Sequence, residues 1–214
     1  MASGTRKCGY LVFLLPLCVL FMGTSAYPTQ ISRIYPFACS NSIKTCNSYL
    51  YQHNGFKKEQ IASYYSVNTS QIRPITDNNR NDYLVTAPCS CKNVNGTVGY
   101  FYDTDYTLQR NDTFANVSNQ IYSGQAWKVG GEENYPAGLN ATMHLLCGCV
   151  ESDSQIVVTY TVQPHDTLSS IADLLASDVD GIQSLNTYLA ANPSYLDVLI
   201  FISKMNQNIF NPCN

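Results

Sequence analysis

The arrangement of six cysteines is the feature that most restricts how this 214-residue chain can fold. One loose pair is followed by two Cys-x-Cys pairs: Cys39 and Cys46, Cys89 and Cys91, Cys147 and Cys149. Two cysteines separated by one residue in an extended segment point the same way, so a bond between them would be strained. Each Cys-x-Cys cysteine is therefore expected to bond elsewhere, although the six cysteines allow fifteen connectivities. Of the three other cysteines, Cys8 and Cys18 lie near the start of the chain, and Cys213 stands apart.

The start of the chain predicts an oxidising compartment, in which disulfides persist. Basic Arg6 and Lys7 precede an apolar run over 10–22, and small residues lead up to Ala26. This pattern is typical of a secretory signal peptide, here residues 1–26, with cleavage after Ala26. The apolar run is shorter than the roughly 20 residues of a membrane span, and an uncleaved anchor is the alternative. The mature chain is expected to be secreted and extracellular.

Five N-glycosylation sequons fit the same compartment. They begin at Asn68, Asn95, Asn111, Asn116 and Asn140. The tripeptide also occurs by chance, but five exceed what a cytosolic chain usually carries. Each of these asparagines is predicted to lie on the surface, and glycans at both Asn111 and Asn116 would be crowded.

Composition argues against nucleic acid and metal as ligands. The chain has 12 Lys and Arg against 15 Asp and Glu, whereas affinity for nucleic acid comes largely from neutralising phosphates. Structural zinc usually requires cysteines two to four residues apart, often with His, and His53, His144 and His165 are scattered. No metal and no cofactor are predicted. The low charged fraction, 13%, suits a surface that binds neutral sugars and equally suits a glycosylated extracellular protein.

An internal repeat divides the mature chain. Residues 160–172 match residues 106–118 at every patterned position, with an offset of 54, and a looser copy lies at 56–65. An N-terminal segment with the first cysteine pair (27–46) and a tail (203–214) flank three predicted units, which we name copy 1 (47–88), copy 2 (100–146) and copy 3 (156–202).

Each copy is predicted to contain a strand, a turn, two helices and a second strand that pairs with the first, with both helices on one face. This is an α+β fold of three tandem β-α-α-β units. A unit of this size has little core of its own, which is a physical reason for cysteines at the unit boundaries.

Copy 3 shows the pattern most clearly. Asp166 or Thr167 is expected to cap the first helix, whose apolar face contains Leu168, Ile171, Ala172 and Leu175. The second helix is predicted over Val179–Ala190, before a stop at Asn192-Pro193. An apolar strand follows at Leu196–Ile202.

The sequence from Tyr160 to Ala172 resembles the beginning of a lysin motif (LysM). Three such motifs, separated by Cys-x-Cys pairs behind a signal peptide, resemble the extracellular region of plant LysM receptor-like kinases and their kinase-free relatives. The resemblance covers residues 39–202, and it is strong in copy 3, good in copy 2 and weak in copy 1. Residues 111–122 with 124–127 are most similar to the subgroup that perceives bacterial exopolysaccharide, whose first motif is also divergent.

The resemblance implies three disulfides that clamp the motifs into a cloverleaf: Cys39–Cys91, Cys46–Cys149 and Cys89–Cys147. It also implies a shallow sugar-binding groove between the turn after the first strand and the loop before the second. In copy 2 the groove contains Gln109, Arg110, Asn111, Asp112 and Thr113, facing Asn134, Tyr135, Pro136 and Ala137. In copy 3 it contains Pro164, His165, Asp166 and Thr167, facing Asn192, Pro193, Ser194 and Tyr195.

Structural roles compete with ligand binding at most of these positions. The Asp and Thr residues of both turns are expected to cap helices whatever binds. Tyr135 and Tyr195, in loops beside proline, are placed to stack on a sugar but equally to pack on the core, and Trp127 is expected in the core or over a disulfide. A glycan at Asn111 would obstruct copy 2. No groove residues are assigned in copy 1, because its opening strand is not recognisable in the sequence.

The function hypothesis is a receptor ectodomain, not an enzyme, for N-acetylglucosamine-containing (chitin-like) oligomers or microbial exopolysaccharide in plant immunity or symbiosis. Relatives with kinases continue into a membrane helix and sit at the plasma membrane, with a LysM receptor kinase as the expected co-receptor. This chain stops at a tail unlike the family, which a truncated or spliced receptor product would explain. A decoy, a co-receptor that acts through a protein partner, and a non-functional truncation are the alternatives. A hydrolase would need a further catalytic domain, and the copies leave little room for one.

Overall fold

A mixed sheet of seven strands runs through all three copies. The structure, a computed structural model, describes residues 35–53, 55–77, 80–127, 136–151, 155–186 and 199–204. The predicted signal peptide and Cys213 lie outside these residues. In chain order the elements are β1 (Thr45–Gln52), α1 (Lys58–Tyr64), a 3-10 helix (Thr69–Gln71), β2 (Ile72–Asp77), β3 (Arg80–Val94), β4 (Thr97–Thr107), α2 (Phe114–Ile121), β5 (Asn140–Leu146), β6 (Gln155–Tyr160), α3 (Leu168–Leu175), α4 (Val179–Leu185) and β7 (Leu199–Lys204).

The strand order is β5-β4-β3-β1-β6-β7, with β2 paired to β3 off this path. Within copies 2 and 3 the first and last strands pair antiparallel, as predicted, through β4 with β5 and β6 with β7. The β3–β4 hairpin connects copy 1 to copy 2. Copy 1 meets copy 3 where β1 runs parallel to β6, with Tyr49 opposite Val158 and Leu50 opposite Thr159. The three copies therefore share one hydrogen-bonded sheet.

Copy 1 departs from the predicted β-α-α-β order. After α1 it has only a three-residue 3-10 helix, and then two strands, β2 and β3, which pair with each other. Its opening strand β1, which sequence patterning missed, lies between β3 and β6. Ser48 to Gln52 are all buried. A strand covered on both faces loses the alternation of apolar and polar residues by which strands are read from sequence.

The two predicted helices of copy 3 are both present. Ile171, Ala172 and Leu175 of α3 are buried, as the apolar face predicts. Helix α4 ends at Leu185, earlier than predicted, and the buried side chain of Asn186, which follows it, donates from Nδ2 to the Ile182 carbonyl at 2.6 Å. The last strand, β7, continues to Lys204, beyond the predicted end at Ile202. In copy 2, α2 is the one helix among the described residues.

Three disulfides cross-link the copies: Cys39–Cys91, Cys46–Cys149 and Cys89–Cys147. These are the pairs that the resemblance implies. The first Cys-x-Cys pair lies within β3, where Cys89 is opposite Cys46 of β1, so this pair is part of the sheet and not a linker. The sulfur atoms of Cys46, Cys89 and Cys149 lie within 4.8 Å of one another, but each is bonded in a disulfide and is not a thiolate that could hold zinc.

Side chains from copy 2 cap the end of α1 in copy 1. The last carbonyls of a helix have no partner within the helix. Here the Tyr64 carbonyl accepts hydrogen bonds from Thr104 Oγ1 at 2.9 Å and Tyr122 Oη at 3.1 Å, and the Tyr65 carbonyl accepts from Tyr102 Oη at 2.5 Å. These bonds fix α1 against β4 and α2.

A buried glutamine joins copies 1 and 2 at the end of β1. The side chain of Gln52 is inaccessible to solvent, and its Nε2 donates to the Ile121 carbonyl at 3.1 Å. Its Oε1 accepts from Tyr65 Oη at 3.0 Å and from Ser123 Oγ. All three polar groups would lose this partner if the amide were removed.

None of the helices in the described part of the chain is long and apolar enough to span a bilayer.

We expect Gln52→Leu to lower the free energy of unfolding by about 3 kcal/mol, because it leaves buried donors and an acceptor without partners. Urea unfolding of the oxidised, secreted protein measures this change. The matched control is Gln183→Leu at an exposed position of α4, where about 0.5 kcal/mol or less is expected. Equal effects of the two substitutions would contradict the structural role assigned to Gln52.

Candidate functional site: the turns after the first strands

The turn after β6 in copy 3 is held closed by its aspartate. Asp166 N donates to the Gln163 carbonyl at 3.0 Å, and Gln163 N donates to Asp166 Oδ2 at 2.8 Å. Tyr160 Oη donates to the same carboxylate oxygen at 2.6 Å. His165 occupies the left-handed region, with φ 75°. The shape of the loop is therefore held both by backbone hydrogen bonds and by the hydroxyl of the buried Tyr160.

Copy 2 repeats the backbone geometry of this turn. Asp112 N donates to the Gln109 carbonyl at 3.2 Å, and Gln109 N donates to Asp112 Oδ2 at 2.7 Å. Asn111 has φ 70° where copy 3 has His165. Tyr106 stands where copy 3 has Tyr160, and burial together with its hydrogen bond to Asp112 raises the pKa of Tyr106 to about 12. The offset of 54 in the sequence therefore corresponds to one recurring geometry.

The aspartates and the threonines of these turns have different structural roles. Thr113 caps α2 by accepting from Asn116 N at 3.2 Å, and Thr167 caps α3 by accepting from Ser170 N at 3.1 Å. The threonines are helix caps, as expected. The aspartates close the turn instead, so the cap of α3 is Thr167 rather than Asp166.

Copy 1 lacks the residues that close the turns of copies 2 and 3. Counting back from the start of α1 without a gap places Gly55, with φ 69°, at the left-handed position. The positions of the Tyr–Asp pair are then taken by Leu50 and Phe56, both in one hydrophobic cluster. Lys57, which cannot accept a hydrogen bond, replaces the capping threonine, and only Gln60 Oε1 remains to accept from Lys57 N at 3.0 Å.

The structure brings the two sides of the predicted groove in copy 2 together. Leu108 N donates to the Leu139 carbonyl at 2.9 Å, and Gly138 N donates to the Leu108 carbonyl at 2.8 Å. Next to these bonds, Gln109, Arg110 and Asn111 of the turn and Pro136 and Ala137 of the loop are all exposed.

Part of the predicted site lies outside the described residues. In copy 2 this part is Asn134 and Tyr135, and in copy 3 it is the whole facing loop, Asn192, Pro193, Ser194 and Tyr195. In copy 3 the described side of the groove presents Pro164, His165 and Thr167 to solvent. The assignment of these residues to a ligand stays a prediction.

An apolar hollow beside copy 2 was not read from the sequence. It is a cavity of about 100 Å³ whose lining includes Leu108, Phe114, Val117, Trp127, Leu139 and Met143. Trp127 is half-buried, with its ring 6.2 Å from that of Phe101, so it packs on the core as one of the sequence interpretations expected.

An ion-paired cluster lies on the sheet face of copy 2. Asp103 Oδ2 is 2.6 Å from Lys92 Nζ, and Asp103 Oδ1 is 2.7 Å from His144 Nδ1. Burial opposes the charge of Asp103, but hydrogen bonds from Lys92 and His144 outweigh it and lower the pKa of this carboxyl group. The Asp103 carboxylate is therefore paired with Lys92 and contacts the ring of His144.

All five sequon asparagines are exposed, as predicted. Asn95 occupies the β3–β4 turn with φ 46°, and Asn111 occupies the copy 2 turn itself. A glycan at Asn111 would project from the predicted groove of that copy.

Comparison with known proteins identifies the last repeat. Residues 160–196, most of copy 3, match the LysM domain family. The chain is similar to three proteins of Arabidopsis thaliana. LysM domain receptor-like kinase 3 is 25% identical over 75% of this chain, chitin elicitor receptor kinase 1 is 26% identical over 80%, and Protein LYK5 is 25% identical over 73%. The alignments cover 24%, 30% and 27% of those proteins, so this chain spans less than a third of their length.

Two solved structures share the fold. The ectodomain of a receptor-like kinase superposes with a TM-score of 0.57 at 21% identity, covering 77% of this chain and 94% of that one. The LYK3 ectodomain gives a TM-score of 0.54 at 20% identity, covering 79% and 94%. The relatives are thus LysM receptor-like kinases, and the fold neighbours are ectodomains of receptor kinases. That copies 1 and 2 are also LysM units stays a prediction.

From the pair of Tyr106 and Asp112 in copy 2 we predict that the free energy of unfolding falls in alkali. Below the ordinary tyrosine pKa of about 10 the contribution of Tyr106 is fully present, and it is lost as the pH rises towards the folded-state value of about 12. We expect Tyr106→Phe to make this decline shallower. Burial also raises the pKa of Tyr122, so part of the decline persists.

Urea unfolding between pH 9 and about 11.5, with disulfides checked by mass spectrometry, measures this slope. Asp112→Asn is the companion variant. It removes the carboxylate that favours the neutral phenol, so it should also flatten the decline. An unchanged slope in Tyr106→Phe would contradict the assignment.

Proposed function

We propose that this chain is an extracellular, non-catalytic carbohydrate-binding ectodomain and that copy 3 is its principal binding unit. The ligand is an N-acetylglucosamine-containing oligomer or a microbial exopolysaccharide, perceived in plant immunity or symbiosis. The observation that carries the proposal is the rigid turn of residues 163–167, which lies inside the segment that matches the LysM domain family.

The rigidity of this turn supports a binding role. Tyr160 and the Gln163 backbone hold Asp166, so little conformational entropy is lost when a ligand meets the exposed residues of the loop. Pro164 and His165 are both exposed, and His165 has a left-handed backbone conformation. Their polar backbone groups and apolar side-chain atoms are of the kind that can contact a sugar. Tyr195, on the facing loop, is the predicted stacking residue.

The distribution of sequons supports copy 3 over copy 2. All five sequons precede residue 141, and copy 2 carries one in its turn at Asn111. Copy 3 has none, since in Asn192-Pro193-Ser194 a proline occupies the position that a sequon forbids. The groove of copy 3 would therefore stay open on a fully glycosylated chain.

One relative is named a chitin elicitor receptor kinase, and chitin is a polymer of N-acetylglucosamine. That name favours chitin-like oligomers among the candidate ligands. A shallow groove on a small unit usually binds weakly and gains from a second contact or a partner. A LysM receptor kinase at the plasma membrane is the proposed signalling partner. A decoy that binds the same glycan without signalling is the alternative role.

A glycan placed in the groove of copy 3 should abolish binding. Pro193→Ala turns residues 192–194 into a sequon with a single substitution. We expect the secreted, glycosylated residues 27–214 to bind immobilised chitin oligomers saturably. The variant should lose at least about 90% of that binding, which below saturation corresponds to an affinity weaker by about tenfold or more. Biolayer interferometry against chitin oligomers and an exopolysaccharide panel measures both.

Two controls separate steric blocking from damage to the fold. Enzymatic removal of N-glycans should restore binding to Pro193→Ala without reducing that of the parent protein. Asn111→Gln removes the sequon in the copy 2 turn and should leave the affinity unchanged. Binding that rises with Asn111→Gln and is unaffected by Pro193→Ala would assign the site to copy 2.

A further inference from the structure

Two of the three disulfides tie residues 147–149, which directly follow β5, to strands of copy 1. Cys147 is bonded to Cys89 of β3, and Cys149 is bonded to Cys46 of β1. The sulfur atoms of Cys46, Cys89 and Cys149 all lie within 4.8 Å of one another. A sulfur atom of one disulfide is therefore close enough to reach a sulfur atom of the other.

Strand pairing keeps Cys46 and Cys89 together whether or not residues 147–149 are bonded to them. The two cysteines are opposite each other in the antiparallel β1–β3 ladder, which contains eight opposed pairs. Opposed residues in such a ladder have Cα atoms about 4.5–5.5 Å apart, and a disulfide bridges that span. Cys46 therefore has a second partner within reach besides Cys149.

Cys46 is the cysteine of this group that a dissolved thiol approaches most readily. It is half-buried, whereas Cys89, Cys147 and Cys149 are buried. A small thiolate such as glutathione attacks Cys46 Sγ, and Cys149 leaves as a thiolate. A second glutathione thiolate then removes the first from Cys46. The products are free thiols at Cys46 and Cys149 and one oxidised glutathione disulfide, so two electrons have passed to the protein.

We propose that these sulfur atoms form a thiol–disulfide switch, in which reduction of one disulfide releases two cross-links. The Cys46 thiolate attacks Cys89 Sγ, so that the Cys46–Cys89 bond forms and the Cys89–Cys147 bond breaks. Cys147 leaves as a thiolate and takes up the proton that Cys46 lost. This exchange needs no further electrons. Residues 147–149 then have no covalent bond to β1 or β3, although a single disulfide has been reduced.

The switch loosens the contact between copies 1 and 3. The parallel pairing of β1 with β6 contains two opposed pairs, against eight between β1 and β3. Ser48 Oγ adds one hydrogen bond to the Val157 carbonyl at 2.9 Å. The two disulfides lie shortly before β6 begins at Gln155, and a cross-link stabilises by restricting the open state. This inference concerns the attachment of copy 3 and does not depend on the proposed carbohydrate ligand.

Two matched variants separate the switch from the simple loss of a disulfide. Cys149→Ser and Cys46→Ser both remove the Cys46–Cys149 bond, but only Cys149→Ser retains the Cys46 thiol. In Cys149→Ser we expect the Cys46–Cys89 bond to exceed the Cys89–Cys147 bond by about threefold or more, because opposed strand residues stay within disulfide reach. In Cys46→Ser, Cys89 should stay bonded to a cysteine of residues 147–149.

Alkylation followed by mass spectrometry identifies the free cysteine in each variant. Both variants are prepared as secreted, glycosylated residues 27–214 that also carry Cys213→Ser, so that this cysteine cannot compete. In Cys149→Ser, alkylated Cys147 reports the switched pairing, and alkylated Cys46 reports the original one. Hydrogen exchange of the β6 amides measures the structural consequence, and we expect it to be about tenfold faster in Cys149→Ser than in Cys46→Ser.

A titration of the parent chain with reduced glutathione, at about pH 8 where thiolates are populated, tests the switch without those substitutions. Molecules that have lost one bond of this pair of disulfides should have alkylated Cys147 and Cys149 and unmodified Cys46. This titration decides alone if Cys149→Ser is not secreted in folded form.

Three results would overturn the inference and leave carbohydrate binding untouched. The first is predominant alkylation of Cys46 in Cys149→Ser. The second is alkylation of Cys46 and Cys149, with Cys147 unmodified, in the partly reduced parent chain. The third is equal hydrogen exchange of β6 in the two variants, which would contradict the loosening of copy 3.

Discussion

The position of β1 between two other strands is the constraint on which the rest of the fold depends. On one side β1 pairs with β3 of its own copy, and on the other it pairs parallel with β6 of copy 3. Its second residue, Cys46, is bonded to Cys149. The side-chain amide of its last residue, Gln52, forms hydrogen bonds that reach copy 2. One strand therefore fixes three copies, each too small to bury a sufficient core alone.

The sequence was informative where one copy repeats another. Tyr160, Asp166 and Thr167 match Tyr106, Asp112 and Thr113, and both turns form the same hydrogen bonds. The three disulfides followed from a family resemblance, since geometry alone excludes only bonds within each Cys-x-Cys pair. In copy 1 the aligned residues are Leu50, Phe56 and Lys57, so the polar signature is gone. Only the helical part of that copy, residues 56–65, could be aligned from the sequence.

The candidate site was less predictable than the fold because each of its residues also serves folding. A sequence pattern shows that an aspartate begins a helix, but only the hydrogen bonds show that Asp166 closes the turn while Thr167 caps α3. The approach of Leu108 to Leu139, and the hollow next to Trp127, depend on contacts between residues far apart in the chain.

The distance between the partners of β1 has a consequence for how the protein is made. Cys46 and Cys149 are 103 residues apart, and the strand that covers the second edge of β1 begins only at Gln155. Synthesis proceeds from the N-terminus. The thiol of Cys46 therefore has no native partner until Cys149 has been made, and the edge of β1 is uncovered until β6 has been made. Open edges pair readily with other chains. Until Cys149 and β6 have both been made, Cys46 and the edge of β1 are open to pairing with other chains.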